Sequence, residues 1–171
     1  MNRKGDRPTT IMHRHAVIDP TGQYRYHLSR IWNLAAPRIA FVMLNPSQAD
    51  AHRDDPTLRR CLGFAQAWGF GALAVVNLFA YRTAQPKVLQ QVADPIGPEN
   101  DRYLKNAVCQ ADCTVVAWGN QGVWRDRTST VLATLQPLTP IYCLGMTQQK
   151  QPRHPLYLPS NTQLQRYYPR Q

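Results

Sequence analysis

The sequence predicts an α/β fold: three layers, α/β/α, around a central, mostly parallel four-stranded sheet, with a β-hairpin added on the N-terminal side. Three observations carry this expectation. Four short apolar runs, at residues 38–44, 73–78, 113–118 and 141–144, have the near-continuous hydrophobicity of strands buried on both faces. Segments with helical spacing alternate with them, which implies βαβ units. The chain has 171 residues, 43% of them hydrophobic, enough for one domain with a real core, and no repeat, low-complexity tract or linker divides it.

Each element follows from local chemistry. Residues 1–12 are polar and charged without periodicity and read as a loose arm. Residues 15–18 and 23–32 flank Asp19-Pro20-Thr21-Gly22, whose Pro at i+1 and Gly at i+3 suit a type I turn, so the pair reads as a hairpin. The first buried strand, 38–44, runs into a polar loop over 45–55. Asp55-Pro56-Thr57 then opens a helix, with Asp55 as N-cap and Pro56 at the first position. Leu58, Cys61, Leu62, Ala65 and Trp68 have helical spacing, and Gly69 closes the helix. The second strand, 73–78, is followed by a loop and a short helix over 87–92. After the break at Asp94-Pro95-Ile96-Gly97-Pro98, residues 99–111 are helical, with Tyr103, Leu104, Ala107 and Val108 on one side. The third strand is followed by a turn bracketed by Gly119 and Gly122 and a helix over 125–135. The fourth ends at Gly145. The tail, rich in Pro and Tyr, offers an edge strand at 156–158.

The charge balance points to a polyanion. Twenty Lys and Arg stand against ten Asp and Glu, a formal +10, and most of the basic residues are Arg, the side chain that pairs best with phosphate. Nucleic acid is therefore the expected partner. No helix sets a basic face against a broad apolar one, so a membrane surface is not expected. No run approaches the roughly 18 to 20 apolar residues of a membrane span. The basic start has no apolar segment behind it, so no signal peptide and a cytoplasmic location are expected. No obligate protein partner is evident, and a monomer is expected. Cys61, Cys109, Cys113 and Cys143 lack metal-site spacing and read as reduced thiols, so no metal or other cofactor is expected.

In open parallel sheets, ligands bind beyond the carboxyl ends of the strands. Here those ends carry Asn45-Pro46-Ser47, Asn77 followed by Tyr81-Arg82-Thr83, Trp118-Gly119-Asn120, and Gly145-Met146-Thr147, with Arg153-His154-Pro155-Leu156-Tyr157 after the last. A parallel sheet brings them to one rim. The Asn45 amide suits orienting a water or reading a base edge, and equally an Asx turn. Asn77, inside an apolar strand, needs partners, either a ligand or a loop backbone. His154 lies between Arg153 and Pro155 on a loop, where a functional role is favoured over a core one. His13 and His15 read as ordinary edge-strand residues. Asp50 and Asp54 suit either a general base or a hydrogen-bond acceptor, whereas Asp55 reads as a cap. No P-loop, dinucleotide fingerprint, nucleophile elbow or zincin motif is present.

The order of these segments resembles the uracil-DNA glycosylase superfamily over roughly residues 38–160. Phe41-Val-Met-Leu-Asn-Pro-Ser47 is similar to its first motif, a strand ending in Asn-Pro-Gly, and Val75 to Thr83 to the strand exit that carries a base-reading Asn. Val116-Ala-Trp-Gly119 resembles the third strand, and Arg153-His-Pro-Leu-Tyr157 the His-Pro loop that closes the site. The chain also resembles a small bacterial and phage family of uncharacterised domains with the pattern Leu-Asn-Pro-Ser, Asp-Asp-Pro-Thr, Asn-Leu-Phe-Ala and His-Pro-Leu-Tyr. Some relatives look like antiphage glycosylases that remove bulky modified bases such as glucosylated hydroxymethylcytosine. Two departures stand out: Ser47 replaces the motif's Gly, and Leu156 replaces the Ser after His-Pro. Together with the acidic 48–55 loop, they point to an altered base pocket rather than a plain uracil one.

The resemblance implies a glycosylase-like fold and a monofunctional DNA N-glycosylase that flips a modified base and hydrolyses its glycosidic bond. Asn45 would orient the water, helped by Asp50 or Asp54, and His154 would donate to the leaving base. Asn77 would read the base edge, with Phe64, Tyr81 or Tyr157 as aromatic partners, although helical spacing favours core packing for Phe64. Ser47, Arg82, Thr147, Lys150 and Arg153 would hold phosphates. The alternatives are a non-catalytic DNA- or nucleotide-binding module of the same fold, or a nucleoside or nucleotide hydrolase.

Overall fold

The computed structural model describes residues 12–168; apart from Met12, the loose arm expected over 1–12 lies outside them. In chain order the elements are β1 (His13–Ile18), β2 (Arg25–Ile31), β3 (Arg38–Met43), α1 (Pro56–Ala67), β4 (Ala72–Asn77), α2 (Pro86–Gln91), α3 (Asn100–Cys109), β5 (Cys113–Val116), a 3-10 segment (Asn120–Asp126), α4 (Arg127–Leu135), β6 (Ile141–Cys143) and β7 (Gln165–Arg166). The strands form one sheet in the order β1-β2-β4-β3-β5-β6-β7.

This corrects the expected central, mostly parallel four-stranded sheet. The sheet has seven strands and is mixed. β4, β3, β5 and β6 run parallel, but β2 pairs antiparallel with both β1 and β4, and β7 pairs antiparallel with β6. The hairpin is therefore not an appendage. Its inner strand continues the sheet through Leu28 opposite Val75 and Ile31 opposite Ala72. A second correction concerns the tail. Residues 156–158 form a turn, not an edge strand, because Tyr157 adopts a left-handed φ of 68° that an extended chain cannot contain. The closing strand is β7, two exposed residues too short to show any alternation.

The sheet separates two apolar clusters. On one face, Ile39, Phe41 and Met43 of β3 meet Leu58, Cys61, Leu62 and Ala65 of α1. On the other, Val42 and Val76 meet Leu89 of α2, Leu104 and Val108 of α3, and Val131 and Leu135 of α4. Burial on both faces explains the continuous apolar runs of the inner strands. α1 starts as its sequence dictates: Asp55 is extended, its carboxylate accepts from the Leu58 amide at 2.7 Å, and Pro56 occupies the first turn.

β2 carries a pH liability. His27 is half-buried, and burial pushes its pKa down to about 4, with His15 and Arg25 adding repulsion. The unfolded imidazole takes its proton near pH 6.5, so between about pH 6.5 and 4 the unfolded chain binds more protons. Stability is thus expected to be complete above pH 6.5 and to fall as the pH drops through that window. Urea unfolding at pH 7 and pH 5 should show a smaller difference for His27→Gln than for the native chain.

Candidate active site

From β3 the chain passes through α1 to β4 on one side, then returns through α2 and α3 to β5 on the other side of β3. Between strands whose connections diverge, a crevice opens at the carboxyl ends. A cavity of about 250 Å³ lies there, lined by Leu44, Asn45 and Ser47 from the β3 exit, Asn77 from the end of β4 and Trp118 from beyond β5. Arg25 and Leu28 of β2, Asp55 and Thr57 at the start of α1, Thr83, and His154 complete it. Backbone bonds lock these exits together: the Leu78 amide donates to Met43 (2.8 Å), Ala117 to Val42 (2.8 Å), and Gly119 to Pro152 (2.9 Å), which pins the His154 loop to the β5 exit. Asn100 donates to the carbonyls of Asn77 and Leu78 at 2.9 and 3.0 Å and fixes the turn out of β4.

The side-chain orientations are set by their partners. Asn45 Nδ2 donates to the carbonyls of Pro46, Tyr81 and Thr83 at 3.1, 3.3 and 2.8 Å. Three acceptors around one nitrogen leave the amide oxygen as the group offered to the cavity. His154 does the opposite. Its Nδ1 accepts from the Leu156 amide at 3.2 Å, so the neutral ring carries its proton on Nε2 and presents a donor. Burial pushes its pKa below the usual histidine value, with the Asp55 charge pulling the other way, which keeps the ring neutral at pH 7. Asn77 turns its oxygen to Arg25 Nη2 at 3.4 Å, a cation with donors only, and its nitrogen has no protein partner among the described residues. Trp118 borders the cavity, but its indole is buried in the second apolar cluster and held there by its Nε1 donating to Gln151 at 3.2 Å. Gly122 lies flat against that indole; a Cβ there would come within 2.1 Å of Trp118 Cδ1.

Of the residues singled out from sequence, the fold brings Asn45, Ser47, Asn77 and His154 to the cavity. It does not bring Asp50 or Asp54 there. Asp54 accepts from Arg30 Nε and Nη2 at 3.0 and 2.8 Å and from Arg14 at 3.0 Å. Asp50 accepts from the His52 and Arg53 amides at 2.8 Å each and shapes the loop. The carboxylate that reaches the cavity is Asp55, which serves as helix cap and cavity wall together. Phe64 is core, stacked on Trp68. Tyr81 faces Tyr24 edge-on rather than the cavity, and Tyr157 is 92% exposed. Arg82 donates to the Gly22 carbonyl, Thr147 donates to Asn120 at 2.6 Å, and Arg153 is exposed beside Gly145. Thr147 and Lys150 line a separate groove of about 750 Å³ with Arg166 and the start of α4.

No site role followed from the sequence for Trp118, Asp55 or Arg25. Trp118 was visible as a strand exit, and Asp55 adjoins the exposed rim. Arg25 gave no signal, because two-residue alternation places it on the face opposite Leu28 and Arg30. A register shift at Val17/Ile18, where Ile18 pairs with Arg25 and Val17 with His27, makes Tyr26 the extra residue and turns Arg25 to the cavity side.

Among the described residues, no three His, Cys, Asp or Glu side chains gather as metal ligands, and no helix is long and apolar enough to cross a membrane. No curated protein matches the chain. A crystal structure of hetero-hexameric glutamate dehydrogenase from Thermus thermophilus (Leu bound form) aligns at 14% identity and a TM-score of 0.34, too low to carry over fold or activity. The alignment covers 78% of this chain and 34% of that one, so the chain spans about a third of that protein's length. Residues 25–156 match a family profile, a stretch that takes in the whole cavity from Arg25 to His154. By that match the chain belongs to the family described as "Protein of unknown function (DUF1643)".

Proposed function

We propose that the chain is a DNA N-glycosylase that turns a base out of the stack into the cavity and hydrolyses its bond to the sugar. The observation that carries this reading is the division of the site into acceptors and donors. Breaking the bond from C1′ to the base leaves positive charge on the sugar and negative charge on the base. Asn45 Oδ1 and the Asp55 carboxylate are acceptors, suited to hold the water and to face the cationic sugar. His154 Nε2 and the Asn77 amide nitrogen are donors, suited to the anionic base. A preorganised donor at such a position contributes about 3 to 4 kcal/mol, enough to offset the few kcal/mol that flipping costs.

Size supports a base rather than a whole nucleotide. The cavity, about 250 Å³, falls below the range of about 300 to 1,000 Å³ typical of pockets for larger ligands. The +10 charge suits a backbone partner, and Lys150 and Arg166 in the separate groove would meet phosphates. Within this reading the protein acts in the cytoplasm, on phage-modified DNA or on damaged DNA.

Mass spectrometry of bases released from ordinary, uracil-containing and phage-modified DNA tests the proposal. Release of a free base with matching abasic sites is expected from at least one of them. Tight DNA binding without release from any would identify a binding module, and release from free nucleosides but not oligonucleotides would identify a nucleoside hydrolase.

A further inference from the structure

Arg25 is an unusual cavity residue. It is 4% exposed, its Nη1 donates to the Ala49 carbonyl at 2.9 Å, its Nη2 meets the Asn77 oxygen, and its Nε has no partner among the described residues. A buried cationic donor left unpaired is costly unless a ligand or water completes it. The register shift in β2 that turns it inward is the kind of irregularity that re-aims a side chain beside a site.

We infer that Arg25 sets the base preference of this cavity: by holding the Asn77 oxygen it fixes the amide with its nitrogen outward, so the site takes a pyrimidine whose N3 is an acceptor, as in cytosine and its 5-substituted forms, over the imides uracil and thymine. The inference rests on the base-binding reading above. A free carboxamide is ambivalent: it pairs its oxygen with an imide N3–H as readily as its nitrogen with an acceptor. Beside a guanidinium it is not, because Arg has donors only and the amide oxygen must face it. With Asn77 Nδ2 and His154 Nε2 both donating, adjacent N3 and O2 acceptors are satisfied together. An imide N3–H would meet a donor in a desolvated place, leaving both groups unpaired. Arg25 here is a positioning residue acting through Asn77.

The test compares two oligonucleotides that differ only in this edge. Each carries one 2′-fluoroarabino nucleotide, cytidine or uridine, which resists hydrolysis. Each faces an abasic spacer, so flipping breaks no base pair. Fluorescence anisotropy should show the native chain binding the cytidine oligonucleotide at least about tenfold more tightly. Arg25→Gln, which lacks the charge and can offer Asn77 a carbonyl, should bring the ratio close to one, with folding checked by circular dichroism. A merely structural Arg25 would lower stability without moving the ratio. Equal binding by the native chain overturns the inference even if the variant fails to fold, as does an unchanged ratio in a folded Arg25→Gln. A preference at the binding step without release of any base would refute the glycosylase reading and leave this inference standing; release of both bases at equal rates with equal binding would do the reverse.

Discussion

Asp55→Asn should lower base release by about 10² to 10⁴ while leaving the melting temperature nearly unmoved. The two halves of this expectation separate the residue's two roles. As a cap, Asp55 accepts from the Leu58 amide, and Asn caps a helix about as well. As the cavity's carboxylate, it faces the water that Asn45 would orient, and removing its charge removes the acceptor for that water's proton. Asp55→Ala should lose the same activity and, in addition, about 1 kcal/mol of cap, a fall of about 2 to 4 °C for a domain of this size. Release rates and thermal melts on the two variants, side by side, check this. Full activity in Asp55→Asn would show that the carboxylate is only a cap. The acidic loop residues give a control: Asp54 is committed to Arg30 and Arg14, so its loss should be felt in stability.

His154→Ala should lower release by about 10² to 10³ with fold and most DNA affinity kept, the usual consequence of deleting one donor to a developing anion. The pH profile distinguishes this from general-acid catalysis. Burial holds the His154 pKa below the ordinary value of 6.5, so the ring is a neutral Nε2 donor from pH 8 down to that point. Release by the native chain should therefore not rise between pH 8 and 6.5 on account of this residue. A rate that climbed as the ring took a proton would mean that the imidazolium does the work, and the assignment of a neutral donor would fall. Protonation would also cost the Nδ1 bond to Leu156, because both partners would then be donors.

Much of the frame was legible in the sequence because local chemistry sets it. The apolar runs that became β3, β4 and β5, the cap at Asp55-Pro56 and the helical spacing of α1 and α3 needed no tertiary information. The hairpin was legible too, but not the fact that β2 joins β4, since alternation along a strand does not reveal which edge it pairs with. β7 was invisible because two exposed polar residues carry no period. The site divided in the same way. Asn45 and Asn77 stand where parallel strands end, which is a local signal, and His154 stood out by its place between Arg153 and Pro155 on a loop. Which carboxylate reached them was not local: Asp50, Asp54 and Asp55 lie within six residues, and only the positions of the Arg30 and Arg14 side chains decided that Asp54 would turn away.

By itself, then, the sequence determined the apolar strands, their polar exits and the net positive charge, because hydrophobic period, capping and composition are properties of the chain itself. The tertiary structure alone decided the mixed seven-stranded sheet, the choice of Asp55 over its neighbours, and the presence of Arg25 in the cavity. Each of these depends on a pairing between distant segments, and for Arg25 on a one-residue slip between β1 and β2 that reverses the face a side chain points to.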